Sequence, residues 1–314
     1  MANCHHLFQT FHGEISIGSS KRTRVTNSKD GLRKRIRKWF KENHPGYVPK
    51  FYIQGSKKMK TDIRTKDDIC DLDDGVYFFR EPDVTSTTLQ EWVWDAVDGY
   101  TSTTPEHRKK CIRSIFEKDY EIDHPVYYKV EGREYRLAVK NSGWRDDDPK
   151  AMVDWFSGKK DKEGRLVRLV KYEKAWCDNI RSYMPSGLAM TILISNALDN
   201  ITLNERDDIS LRDVLNEIKK TLDNKFECIV PVTPKDDLFA HFDETRKEKF
   251  LTALTNFLDD ANKAIREENQ LKSSKLWKKH LGDRFPDGED KEEKSKLRSS
   301  IVVGAYTSNP WGNE

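Results

Sequence analysis

The chain is 314 residues long, enough to bury a sizeable core as one large domain or two closely packed ones. Its 56 Lys and Arg stand against 53 Asp and Glu, a net charge of +3. So balanced a surface does not suit a protein with a large nucleic-acid footprint. Five scattered cysteines, Cys4, Cys70, Cys111, Cys177 and Cys228, have neither zinc-site nor disulfide spacing and suit a reducing cytoplasm. No apolar run approaches the roughly 20 residues of a membrane helix, and the opening residues lack a signal-peptide pattern.

Cys4-His5-His6 has no matching ligand pair elsewhere, and a free chain start is expected to be poorly ordered. In 27–43, Leu32, Ile36 and Phe40 have helical spacing, with Ser28 placed to cap and His44-Pro45-Gly46 to stop. The basic residues of this helix, Arg33 among them, read as a solvated face. A strand is predicted at 50–54, running into Gly55-Ser56, and another at 76–79 after an acidic turn. Helices at 88–97 and 105–116 follow, then strands at 120–130 and 134–140.

Beyond Pro149 the apolar period becomes helical: Leu166, Val167, Leu169, Val170 and Trp176, then 188–198, 211–222 and 250–264. Charge makes 287–296 a mobile loop; 301–306 has strand bias and 310–314 reads as an extended tail. The expectation is an α+β protein with a mixed sheet in 1–155, including a long N-terminal helix, and a mostly helical lobe in 156–314.

The chemistry concentrates in Asp71-Leu72-Asp73-Asp74-Gly75. Alternate side chains of a strand share a face, so Asp71 and Asp73 can point together. Magnesium is a hard cation commonly held by one or two carboxylates with substrate phosphates, and this pair suits it. Upstream, Gly55 allows close backbone approach to a phosphate and Ser56 adds a hydroxyl donor. Asp123 is a third carboxylate in strand-forming surroundings, where a charge needs a reason; an edge strand marked by Pro125 is the bland alternative. Lys57 and Lys58 are second-rank phosphate contacts. Trp92 and Trp176 read as core, while Trp144, near a turn, is the tryptophan most open to a ligand.

Gln54-Gly55-Ser56, Asp71-Leu72-Asp73-Asp74-Gly75-Val76-Tyr77, Asp123, Leu169-Val170-Lys171-Tyr172 with Trp176, and Pro185-Ser186-Gly187-Leu188 together resemble a known family. It is that of the bacterial relatives of cyclic GMP–AMP synthase and oligoadenylate synthase, the DncV-like nucleotidyltransferases of anti-phage (CBASS) systems. The resemblance implies a DNA-polymerase-beta-like core, an oligoadenylate-synthase-like helical lobe and an active site in the cleft between them. It implies that Asp71, Asp73 and Asp123 hold two magnesium ions, manganese being the substitute. Gln54, Gly55 and Ser56 would lie at the donor triphosphate, reached from the helical lobe by Lys171 and Ser186.

A ribose hydroxyl, deprotonated with help from Asp123, would attack an α-phosphate of a ribonucleoside triphosphate and release pyrophosphate. A second round would close a cyclic di- or trinucleotide, read by a downstream effector, with regulatory proteins of the same defence system as further partners. Two alternatives stay open: a nucleotidyltransferase acting on RNA, tRNA or protein, and a nucleotide-binding sensor without catalysis.

Overall fold

The computed structural model describes residues 1–117 and 119–290. The expected strand bias at 301–306, the tail at 310–314 and most of the loop at 287–296 lie outside the described residues. The chain opens with α1 (His5–Glu14), whose Phe8 and Phe11 are fully buried. The expectation of a loose start is therefore corrected: the Cys4 amide donates to Asp208 at 3.0 Å, and Asp208 is itself buried.

The long helix α2 (Ser19–Asn43) begins earlier than its spacing suggested, because Val25 extends the buried stripe of Leu32, Ile36 and Phe40. Its N-cap is Gly18, and Ser28 instead shares a 2.7 Å hydrogen bond with the Tyr120 hydroxyl. Next come β1 (Lys50–Ile53), α3 (Gly55–Met59), β2 (Cys70–Phe78) and α4 (Ser86–Val97). The acidic run is not a turn before a strand but the first half of β2, because Leu72 enters the core.

The helix expected at 105–116 is absent. The segment forms β3 (Glu106–His107) and β4 (Ile112–Phe116), and β4 pairs antiparallel with β5 (Tyr120–His124). Cross-strand pairing here overrides local helical spacing. β6 (Val126–Tyr128), β7 (Arg136–Val139) and β8 (Gly143–Asp146) complete the sheet, in the order β3-β4-β5-β2-β6-β7-β8 with β1 on β2.

β5 and β6 run parallel to β2 in one register, Cys70 opposite Tyr120 and Val76 opposite Val126. Pro125 therefore interrupts an interior strand and does not mark an edge. It is tolerated because the outer partner changes there from β4 to β7, so no partner needs the amide that proline lacks, while its carbonyl still accepts from Val76 at 2.8 Å.

The second half holds α5 (Pro149–Lys159), α6 (Arg165–Ile180), α7 (Gly187–Ala197), α8 (Asp207–Asn224), α9 (Glu244–Arg266) and α10 (Gln270–Leu281). These helices share a core with α1. α2 and α4 pack on one face of the sheet, over Leu72, Val76, Phe78 and Ile122. Asp287 to Asp290 are not a loose loop: Asp287 pairs with Lys275 and Lys278, and the Gly288 amide donates to Ser274. Among the described residues no helix is long and apolar enough to cross a membrane.

Asp74 lies on the α2 side of β2, where its fully buried carboxylate takes a bidentate pair from Arg33. Arg33 thus leaves the solvated face expected of it and ties α2 to the central strand. Removing one partner of a buried pair strands the other charge, at a cost of about 3–5 kcal/mol. Arg33→Met should lower unfolding stability by about 3 kcal/mol in urea titration, and Arg33→Met/Asp74→Asn should recover most of it. A loss below about 1 kcal/mol in the single variant would contradict this account.

Candidate active site

The other face of β2 carries Asp71 and Asp73 into a cleft of about 520 Å³ between the sheet and the helical half. Asp71 is exposed to the cleft and Asp73 half-buried. Gly55 and Ser56 line it from the start of α3 and Lys174 from α6. Gly55 has φ +59, and a Cβ there would collide with the Asp73 carboxylate. Glycine is required on both counts: left-handed backbone and close approach to the acid. The Gln54 amide donates to the Asp73 carbonyl at 3.1 Å, fixing this corner.

Gln54 turns its side chain away from this cleft, accepting from the Tyr77 hydroxyl at 2.7 Å and donating to Tyr127 at 3.2 Å. Tyr77 and Tyr127 stack at 4.6 Å, and Tyr127 donates to Asp147 at 2.7 Å. A second cavity, about 220 Å³, is lined by Gln54, Gly55 and Asp73 together with Lys110, Asp147 and Leu188. The two cavities therefore meet at Asp73.

The strand register places Glu121 opposite Asp71 and Asp123 opposite Asp73. Neighbouring residues of paired strands share a face, so four carboxylates form a grid spaced about 4.8 Å across and about 6.6 Å along. Asp123 is engaged by Arg113 of β4, with Nε to Oδ1 and Nη2 to Oδ2 both at 2.7 Å, while Arg113 Nη1 holds Glu121. Among the described residues no three carboxylate, imidazole or thiol side chains converge as a ready metal cage. The donors are nonetheless hard oxygens of the kind magnesium takes, but Asp123, held by Arg113, does not line the cleft with Asp71 and Asp73.

Desolvation in the cleft lifts the Asp73 carboxyl to about 7, with the charges of Asp71 and Asp123 adding to it. Asp71 is raised for the same first reason, against the pull of Lys174. Burial brings the Lys174 ammonium down to about 8 despite Asp71, Asp62 and Asp73 nearby. Its Nζ donates to the Thr61 carbonyl and hydroxyl at 3.2 and 3.1 Å.

Lys171 does not line this cleft: it is buried and donates to the Ser16 hydroxyl at 3.2 Å. Lys174, three residues on, lines the cleft instead. Ser186 caps α7, its hydroxyl accepting from Ala189 at 3.2 Å, while Pro185 and Gly187 beside it line the cleft. Lys57 pairs with Asp62 at 3.2 Å, Lys58 lines a separate cavity with Phe51 and Tyr52, and Trp144 packs edge-on against Tyr128. Glu121 could have been found from the alternation Tyr120-Glu121-Ile122-Asp123. Arg113 was hidden by the helical reading of its segment.

Residues 49–127 match the sequence profile described as "Cyclic GMP-AMP synthase DncV-like, nucleotidyltransferase domain". A cyclic GMP-AMP synthase of Escherichia albertii is 32% identical over 194 residues, 55% of this chain and 43% of that enzyme, so the match spans less than half of the relative's length. The crystal structure of Vibrio cholerae DncV cyclic AMP-GMP synthase superposes with TM-score 0.79 at 16% identity, covering 91% of this chain and 98% of that one. The same enzyme in complex with the linear intermediate 5' pppA(3',5')pG superposes with TM-score 0.79 at 18% identity, covering 90% and 97%. The expected α+β nucleotidyltransferase fold is the one observed.

A carboxyl raised in the folded state stabilises fully below its unfolded pKa, and that contribution is lost as pH rises through the folded value. For Asp73 the loss runs from near 3.8 to about 7. Asp73→Asn should therefore raise the Tm of metal-free protein by a few degrees at pH 8, on the order of 1–3 kcal/mol, and by less at pH 5. Scanning fluorimetry with a chelator reads this out. A lower Tm for the variant at pH 8 would contradict it.

Proposed function

We propose that this chain, which carries a DncV-like nucleotidyltransferase domain at residues 49–127, makes a cyclic di- or trinucleotide from ribonucleoside triphosphates. The observation that carries the reading is the convergence of Asp71, Asp73, Gly55, Ser56 and Lys174 on one cleft. In this reading a ribose hydroxyl attacks an α-phosphate and pyrophosphate leaves. The linear product then turns over and its free hydroxyl closes the ring. The linear intermediate captured in the Vibrio cholerae relative supports a two-step course. Two cavities meeting at Asp73 give room for a donor and an acceptor.

Gly55 and Ser56 would bind the triphosphate through backbone N–H groups and the serine hydroxyl. Lys174 takes the role expected of Lys171, a point charge facing the triphosphate from the helical half. Its ammonium sits close enough to Asp71 and Asp73 to be drawn by both. Gln54 positions Gly55 through its two tyrosine partners, and Ser186 holds the α7 end that presents Pro185 and Gly187. Asp71, Asp73 and Asp123 would hold two magnesium ions, or manganese, and Asp123 would also accept the hydroxyl proton. Bound there, the cations would stabilise charge on the attacking and leaving oxygens. Phage defence in the cytoplasm, with an effector reading the product and regulatory proteins of the same system, is the setting the family points to.

The test is incubation of purified protein with magnesium and each labelled triphosphate, followed by phosphatase. Small phosphatase-resistant products are expected, and only long polymers or labelled RNA would contradict cyclisation. Lys174→Met should lower kcat/KM by about 100-fold or more, while Lys171→Met should cost far less. Equal losses in the two variants would contradict this assignment, and a larger loss in Lys171→Met would return the role to Lys171.

A further inference from the structure

The two carboxylates expected to share metal ions across β2 and β5 are not equally available. Asp73 is held by no basic side chain at hydrogen-bond distance among the described residues, whereas both oxygens of Asp123 are taken by the fork of Arg113 at 2.7 Å. Arg113 reaches them because its Cα is the cross-strand partner of Asp123. Its third arm lies on Glu121, and all three side chains are at most one-quarter exposed.

We propose that Arg113 is the resident counter-ion of the carboxylates on the β2–β5 face beside the cleft, a positioning residue that occupies Asp123 until divalent cations enter and then retires onto Glu121. This rests on the reading of Asp71, Asp73 and Asp123 as metal ligands. Before any metal arrives, four carboxylates stand on two neighbouring strands, and adjacent pairs about 5 Å apart repel each other appreciably in a partly screened site. A guanidinium between two of them reduces that repulsion. A dication reaching for the same Asp123 oxygens competes with it, like charge against like. Leaving the guanidinium unpaired in this site would be costly. Glu121 removes that cost, because it already holds one arm and can keep the arginine when Asp123 turns. The arrangement sets how much divalent cation is needed before the third carboxylate becomes available.

The experiment is Mn²⁺ binding to the full chain without nucleotide, followed by the electron paramagnetic resonance signal of free Mn²⁺ and by calorimetry. Arg113→Met should bind Mn²⁺ about tenfold more tightly than the unaltered protein. Arg113→Lys should shift in the same direction by a smaller factor, because an ammonium cannot make the fork. It also serves if the methionine variant fails to fold. Glu121→Gln, which removes the place of retreat, should bind Mn²⁺ more weakly. A role confined to orienting Asp123 predicts the opposite for Arg113→Met, so unchanged or weaker binding there, with binding abolished in Asp73→Asn, overturns the proposal alone. Binding that is unaffected by Asp73→Asn overturns the metal assignment and this proposal with it.

Discussion

Asp71, Asp73, Glu121 and Asp123 share one face of two strands that run in parallel register, and no rearrangement of rotamers can move them far apart. At an effective dielectric near 20, two such charges about 5 Å apart repel by on the order of 3 kcal/mol. Much of the surrounding architecture answers that repulsion. Arg113 arrives from β4, Lys174 from α6 in the other half, and desolvation leaves Asp73 with a pKa of about 7. On the opposite face Asp74 has a separate partner, Arg33 of α2.

Packing decides where those answering charges stand. α6 buries Leu166, Leu169, Val170 and Trp176 in the helical core, which turns Lys174 toward the sheet. α1 belongs to the same core although it begins the chain, so the helical half is closed by residues from both ends of the described sequence. Behind the sheet, α2 and α4 cover Leu72 and Ile122 and leave the intervening acids on the cleft side. Position Gly55 then brings α3 so close to Asp73 that a side chain could not be accommodated.

The helices of the second half were legible because long apolar stripes have few alternatives: 188–198 and 250–264 fall almost wholly within α7 and α9. The shared face of Asp71 and Asp73 was legible too, since strand alternation predicts it; the pairing of Gly55-Ser56 with them was implied by the family resemblance and not by spacing. What the pattern hid was set by partners distant in sequence. β4 looked helical until β5 paired with it, and that error concealed Arg113. Arg33 looked solvated because its partner lies 41 residues away. Lys171 and Lys174 differ by less than a turn of helix, and only the packing of α6 distinguishes the buried one from the one facing the cleft.

Anomalous diffraction from crystals grown with Mn²⁺ and a non-hydrolysable nucleoside triphosphate tests the central claim most directly. The account predicts Mn²⁺ peaks against Asp71 and Asp73, with the triphosphate over Gly55 and Ser56 and its charge facing Lys174. A triphosphate bound elsewhere, or seated in the cleft with no metal at Asp71 and Asp73, would contradict it.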